Sequence, residues 1–146
     1  MIDPTVRSAT ADGADQLDLL ETESRASLVG QRGGLRWLET NPARAGHWAA
    51  AADDGVVHVA HIDEVVVGYL VAQHSGEIVR IVDVYVTPAA RELGFGDALL
   101  AQAIETGRAV GCGLVEGEAL PGDRHTKNLY ERAGTVARLT TTYKPL

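Results

Sequence analysis

Among its 146 residues the chain has one cysteine, no surplus of basic charge, and no apolar run approaching the roughly 20 residues needed to span a bilayer. The single Cys112 excludes an internal disulfide. Its setting, "VGCGL", between glycines marks a small packed side chain rather than a nucleophile. The acidic opening "MIDPTVRSATADGAD" lacks the basic-then-apolar order of a secretory leader, so a soluble, cytoplasmic protein is expected. A net charge of −7 argues against nucleic acid and anionic membranes as partners. Metal-ligand spacing is missing as well. His58 and His61 are three apart in a strand-like run and point to opposite faces, and His47, His74 and His125 have no suitably spaced neighbour, so no metal is expected. Repeats, low-complexity tracts and linkers are also absent, and the length is that of one domain, residues 1–146.

What charge there is lies unevenly. Residues 1–90 carry 6 Lys/Arg against 13 Asp/Glu, whereas residues 91–146 carry 7 of each. An acidic first part raises the local concentration of a cationic substrate, or serves solubility alone.

Apolar periodicity gives an order of elements. A strand over Thr5–Ala9 leads into a helix with Leu17, Leu20, Ser24 and Leu28 on one stripe. A segment broken by Gly33, Gly34, Pro42 and Gly46 reads as loop with a short helix around Leu35–Leu38. "GVVHVAHIDEVVVGYLVAQHSG" holds two strands joined near Asp63-Glu64, and "EIVRIVDVYVTP" adds a third, making an antiparallel meander. Then come a helix from Gly94 to about Val110, a strand in "GLVEGEAL", a helix over Asp123–Ala133 and a last strand in "TVARLTTTYKPL". The class is α/β with a mixed sheet.

The glycines of "VTPAARELGFGDALL" stand between a strand and a helix. A P-loop requires Lys-Ser or Lys-Thr after its last glycine, but Asp97-Ala98 follows Gly96; a dinucleotide fingerprint would need glycine where Leu99 stands. There remains R-x-x-G-x-G, Arg91 to Gly96, opening a helix whose free N–H groups can hold an anion such as pyrophosphate.

"VYVTPAARELGFG" closely matches the acetyl-CoA motif LYV-x-P-x-x-R-x-x-G-x-G of the GCN5-related N-acetyltransferase (GNAT) family, and "DRHTKNLYERAGT" resembles that family's N-x-x-A-x-x-x-Y-E-x-x-G-F segment, with Asn128, Tyr130, Glu131 and Gly134 in register. The resemblance implies a GNAT fold: a mixed, mostly antiparallel central sheet flanked by helices. It also implies acetyl-CoA as co-substrate, with residues 76–146 on the coenzyme side and residues 1–75, which resemble the family little, on the substrate side. Two departures concern the coenzyme. Asp123 replaces the usual Asn and can still cap a helix. Asp97 puts an acid at the helix start beside the expected pyrophosphate, weakening coenzyme affinity unless it turns to solvent.

Carried over residue by residue, the resemblance makes the main chain of Val84 and Val86, flanking Tyr85, pair with the pantetheine arm. The backbone of Arg91, Glu92, Leu93, Gly94, Phe95, Gly96 and Asp97 cradles the pyrophosphate, so side chains at 94 and 96 would occupy phosphate positions. Asp123, Asn128 and Tyr130 complete the coenzyme site. Amides near Val84 polarise the thioester, and Tyr130 protonates the leaving thiolate, unless it is a packing residue.

For the amine, Asp83 is the candidate base: it interrupts the apolar run "IVDVYV", sharing a face with Ile81 and Tyr85, and a carboxylate there must be paired or used. Glu116 and Glu118 lie on one face of the next strand, as substrate contacts or as a solvated face, and Tyr69 lines the substrate cleft or packs in the core. "GHWAA" reads as a substrate loop or as a buried Trp48 under a loop. The leading function is N-acetyltransfer from acetyl-CoA to a primary amine, with a small cationic amine favoured. The alternatives are a protein N-terminus or lysine as acceptor, and a non-catalytic acyl-CoA-binding sensor or regulatory module. A homodimer is the commonest assembly for such domains.

Overall fold

A computed structural model of the chain describes residues 4–54 and 56–146; residues 1–3 and Gly55, at the head of the meander, lie outside them. The elements are strand β1 (Thr5–Ser8), helices α1 (Ala14–Leu28), α2 (Gly34–Thr40) and α3 (Trp48–Asp54), strands β2 (Val56–Ile62), β3 (Val65–Ser75) and β4 (Ile78–Val86), helix α4 (Phe95–Ala109), strand β5 (Leu114–Gly117) and helix α5 (Arg124–Arg132). They form one sheet in the order β1-β2-β3-β4-β5. The first four strands are antiparallel neighbours, and β5 joins β4 in parallel after the α4 crossover. This is the mixed, mostly antiparallel sheet flanked by helices that the motifs implied.

Helices cover both faces, so the central strand β3 is buried along most of its length and reads as a continuous apolar run rather than an alternating one. On one face α4 lays Phe95, Leu99, Leu100 and Ala103 against Ala60, Leu70, Ala72, Val79 and Ile81. On the other, Leu17 and Leu20 of α1 and Trp48 of α3 pack on Val57, Val59, Tyr69, Val71 and Tyr85. Cys112 is buried against the α4 side, as its glycine setting indicated.

Three expectations change. The last strand is not there: residues 135–146 form no helix or strand. Their β-branched composition is insufficient without a partner edge, and Val136 and Leu139, three apart, cannot share one sheet face and remain exposed. Tyr143 instead meets the Arg36 guanidinium, 4.7 Å from its ring centroid. Next, the broken segment holds two helices rather than one. The alanines after Trp48 propagate a helix once Pro42 and Gly46 are passed, so Trp48 is buried on α3 and not under a loop. Finally, Asp83 does not share a face with Ile81. Val71 pairs with Asp83 but Ala72 with Ile81, so Val82 is an extra, bulged residue. The bulge turns Val82, Asp83 and Tyr85 to the α1 side while Ile81 stays under α4.

Candidate active site

β5 pairs with β4 only along Ile78–Ile81. Beyond that point β4 runs on to Val86 with no strand on its β5 side among the described residues, and the two strands part around a cavity of about 590 Å³. Its walls come from α1 and α2 (Ser24, Ser27, Trp37), from Val82–Val86, from the turn into α4, from Glu118 and Leu120 after β5, and from α5. Val84, Tyr85, Val86, Arg91, Glu92, Gly94, Phe95, Gly96, Asp97, Asp123, Asn128 and Tyr130 all line it, and so do Asp83 and Glu118. Leu93, Glu116 and Tyr69 do not. Leu93 faces solvent, Glu116 pairs across the strands with Arg80 at 3.0 Å, and Tyr69 is wholly buried behind Asp83.

At one end the cavity meets the start of α4. The first helical bond runs from Ala98 N–H to Gly94 C=O, so the N–H groups before it have no helical partner, and the helix dipole favours an anion there. Gly94 (φ 88°) and Glu92 (φ 65°) both lie in the left-handed region. Alternating such residues with ordinary ones turns successive N–H groups to one side, an anion-binding nest. A left-handed Glu is strained, and strain of that kind collects at ligand-binding turns. Within the protein itself the two glycines differ. At Gly94 the backbone conformation disfavours a side chain, and a Cβ would also come to 3.2 Å from Pro4; at Gly96 a Cβ would meet Leu129 of α5 at an ordinary 3.5 Å. Asp97 is paired with Arg132 of α5 at 2.9 Å, which offsets the acid at this end. Arg91 Nε donates to Val86 C=O at 2.9 Å and its guanidinium lies 5.5 Å from the Tyr85 ring centroid, which ties this turn to the end of β4.

Across the cavity stands Tyr130. Asp123 caps α5, accepting from Thr126 N–H at 3.1 Å and from its hydroxyl at 2.6 Å, so the helix is fixed from its first turn. The Tyr130 ring reaches back over β5 to donate to Glu118 C=O at 3.3 Å. It fits because residue 117 is glycine; a Cβ there would lie 2.6 Å from the phenol. Burial, then the charges of Asp123, Asp83 and Glu118, raise the Tyr130 hydroxyl well above the ordinary phenol range. It therefore stays protonated at neutral pH as a donor.

Asp83 is held by two donors. Tyr69 Oη donates to its Oδ2 at 3.0 Å, and Arg44 Nη1 to the same oxygen at 3.2 Å. Arg44 also donates to Glu21 of α1, from Nη1 to Oε2 at 3.1 Å and from the main chain to Oε1 at 2.7 Å. Burial pushes the Asp83 carboxyl above the usual carboxylate range; Arg44 and the Tyr69 hydroxyl pull it back, and Glu21 pushes it up again. Tyr85 donates to Glu23 at 2.8 Å and is pushed up to about 12 by burial and by that bond.

Several of these residues escape a reading of the sequence. Glu21 lies on the apolar stripe of α1 between Leu20 and Ser24, and an acid on a buried stripe is a usable signal. Gly117, a glycine inside a strand, is another. Arg44 carries no local signal.

The model of the family described as Acetyltransferase (GNAT) family matches residues 18–135. No curated protein matches the chain. Among solved structures, an aminoglycoside N-acetyltransferase, AAC(6')-Iy, described in complex with CoA-S-monomethyl-acetylneamine, is similar at 17% identity and TM-score 0.69, covering 99% of this chain and 100% of that one. A tetramutant of the BH1408 protein from Bacillus halodurans is similar at 19% identity and TM-score 0.76, with 97% and 99% covered. A ribosomal-protein-alanine N-acetyltransferase from Brucella melitensis biovar Abortus 2308 is similar at 13% identity and TM-score 0.73, again with 97% and 99% covered.

Proposed function

The chain belongs to the acetyltransferase (GNAT) family, and on that premise we propose that it moves an acetyl group from acetyl-CoA to a primary amine, a small cationic amine above other acceptors. The observation that carries this reading is one cavity with an anion cradle at the α4 end and, along its walls, a protonated phenol and a buried carboxylate. Two neighbours in fold are named for acetylation of amines, on an aminoglycoside and on a ribosomal-protein alanine, which supports an amine as acceptor class.

Acetyl-CoA, when bound, supplies the acetyl group activated as a thioester. Residues 76–146 receive it: N–H groups of the turn into α4 hold the pyrophosphate, and the open edge of β4 at Val84 and Val86 pairs with the pantetheine arm and offers N–H donors to the acetyl oxygen. Residues 1–75, with Asp83, receive the amine. Asp83 attracts the ammonium and accepts one of its protons, directly or through water, and passes it to solvent. A second proton leaves the nitrogen as the amide forms and replaces the one that Tyr130 gives to the departing sulfur. Because the Tyr130 hydroxyl is raised rather than lowered, its help begins as a hydrogen bond to the thiolate, with the proton following.

Free thiol release from acetyl-CoA across an amine panel, with acetylated product detected by mass, tests this. Amine-dependent release with one acetylated amine per thiol is expected. Tight coenzyme binding without any thiol release would instead make the protein a sensor. Turnover on peptide N-termini or lysine alone would move the acceptor to proteins.

A further inference from the structure

The connection between α2 and α3 reaches into the site at one residue, Arg44. Its guanidinium bridges Glu21 and Asp83 at 3.1 and 3.2 Å, and its carbon centre lies 5.7 Å from the centroid of the Trp48 ring. Glu21, whose side chain is 3% exposed, spends both oxygens on Arg44, so it is an anchor and is not free to meet substrate. Arg44 Nη1 and Tyr69 Oη both bind Asp83 Oδ2, which fixes the carboxylate through one oxygen, and Asp83 lines the cavity. Two carboxylates around one guanidinium leave the trio one negative charge in excess, the charge that an ammonium or its proton neutralises. We propose that Arg44, anchored by Glu21, is a positioning residue that holds Asp83 as a carboxylate aimed into the cavity for the proton of the acceptor amine. This rests on Asp83 being the base.

The geometry gives the two partners opposite influences. Arg44 favours the charged Asp83; Glu21 opposes it and shares the cation. Remove Arg44 and two buried carboxylates face each other, so one takes up a proton. Remove the charge of Glu21 and Arg44 serves Asp83 alone. The other titratable groups around Asp83 are Tyr69 on β3, Tyr130 on α5, Tyr85 with its bonded Glu23, and Glu118 and Arg91 in the cavity wall. Each of them is unaltered in both variants. A purely structural anchor would lower activity without displacing its pH profile.

The test is the pH dependence of kcat/KM for one cationic amine at saturating acetyl-CoA in the wild type, Asp83→Asn, Arg44→Gln and Glu21→Gln. Asp83→Asn should lose the acidic limb of the profile. Arg44→Gln should move that limb to higher pH, by about one to three pH units, and the near-isosteric Glu21→Gln should move it to lower pH. If Asp83→Asn keeps the limb, the base is another group and the reading of Asp83 itself fails. If the limb vanishes in Asp83→Asn but stays in place, or moves the same way, in the other two, the role of Arg44 is overturned. Should Arg44→Gln fail to fold, Glu21→Gln decides alone: a limb that does not move down overturns the proposal.

Discussion

The two ends of the cavity are built by different means. The end against α4 is made of main chain: the N–H groups of one turn, two left-handed residues and an open strand edge, all within residues 82–97. The end at Asp83, proposed for the acceptor, is backed by side chains from α1, the α2–α3 connection and β3: Glu21, Arg44, Tyr69 and Asp83 lie up to 62 positions apart in sequence yet form one chain of hydrogen bonds. A backbone site needs small residues at fixed local spacing, so a short motif announces it. A side-chain site needs only that four elements meet, and no local pattern records the meeting.

This contrast can be sharpened by substitution. The largest effect belongs to Tyr130, the donor between the two ends. Tyr130→Phe should lower kcat by roughly 100-fold with coenzyme affinity nearly unchanged, the modest end of general acid catalysis, because water substitutes in part. The loss should shrink with a thioester whose thiolate departs more readily. Gly117→Ala, which pushes a methyl into the Tyr130 ring, should fall in the same direction without touching the hydroxyl. Full kcat in Tyr130→Phe, read in steady-state assays, would make this residue a packing tyrosine.

If the acidic first part of the chain steers a cation, kcat/KM for a polyamine should fall several-fold between low and physiological salt, while an uncharged amine changes little. Equal salt profiles for the two would reduce the charge to a matter of solubility. A smaller effect, a few-fold gain in coenzyme A affinity, is expected for Asp97→Asn. It removes an acid at the anion end and leaves Arg132 in place, both being half exposed and screened. Weaker binding in a calorimetric titration would mean that the pair orders α5 instead.

The contrast also reaches stability. On the α4 side His58 is buried with neither ring nitrogen bonded, and burial, then the neighbouring His74, lowers its affinity for a proton. The unfolded chain binds that proton at the ordinary imidazole value of about 6.5, so stability is fully present above this pH and declines as pH falls through it toward the lower folded value. His58→Leu should flatten this decline in thermal melts between pH 7.5 and 5. An unchanged slope would assign the acid sensitivity to another group.

Much of the fold was legible in local pattern. The stripe Leu17, Leu20, Ser24 gave α1, the runs around Val57, Val67 and Val82 gave the meander, and Gly94 marked the start of α4. What local pattern misjudged depends on partners. The tail after α5 has strand-like composition without an edge to join, and α3 hides behind Pro42 and Gly46. Within the site, alternation placed Asp83 beside Ile81, and a single bulged residue, Val82, turned it to the opposite face, toward Arg44 and Tyr69. Bulges follow from the register of the neighbouring strand, which the β4 sequence alone does not contain.

The division of labour between the two ends is tested most directly by calorimetric titration of acetyl-CoA into the wild type, Gly94→Val and Asp83→Asn proteins, each first checked for folding by circular dichroism. Gly94→Val strains the left-handed turn at the α4 end and crowds Pro4, whereas Asp83→Asn removes a charge at the end proposed for the acceptor. The wild type and Asp83→Asn should bind with equal affinity while Gly94→Val should not bind. Loss of affinity in Asp83→Asn like that of Gly94→Val, or a folded Gly94→Val that binds like the wild type, would contradict this division.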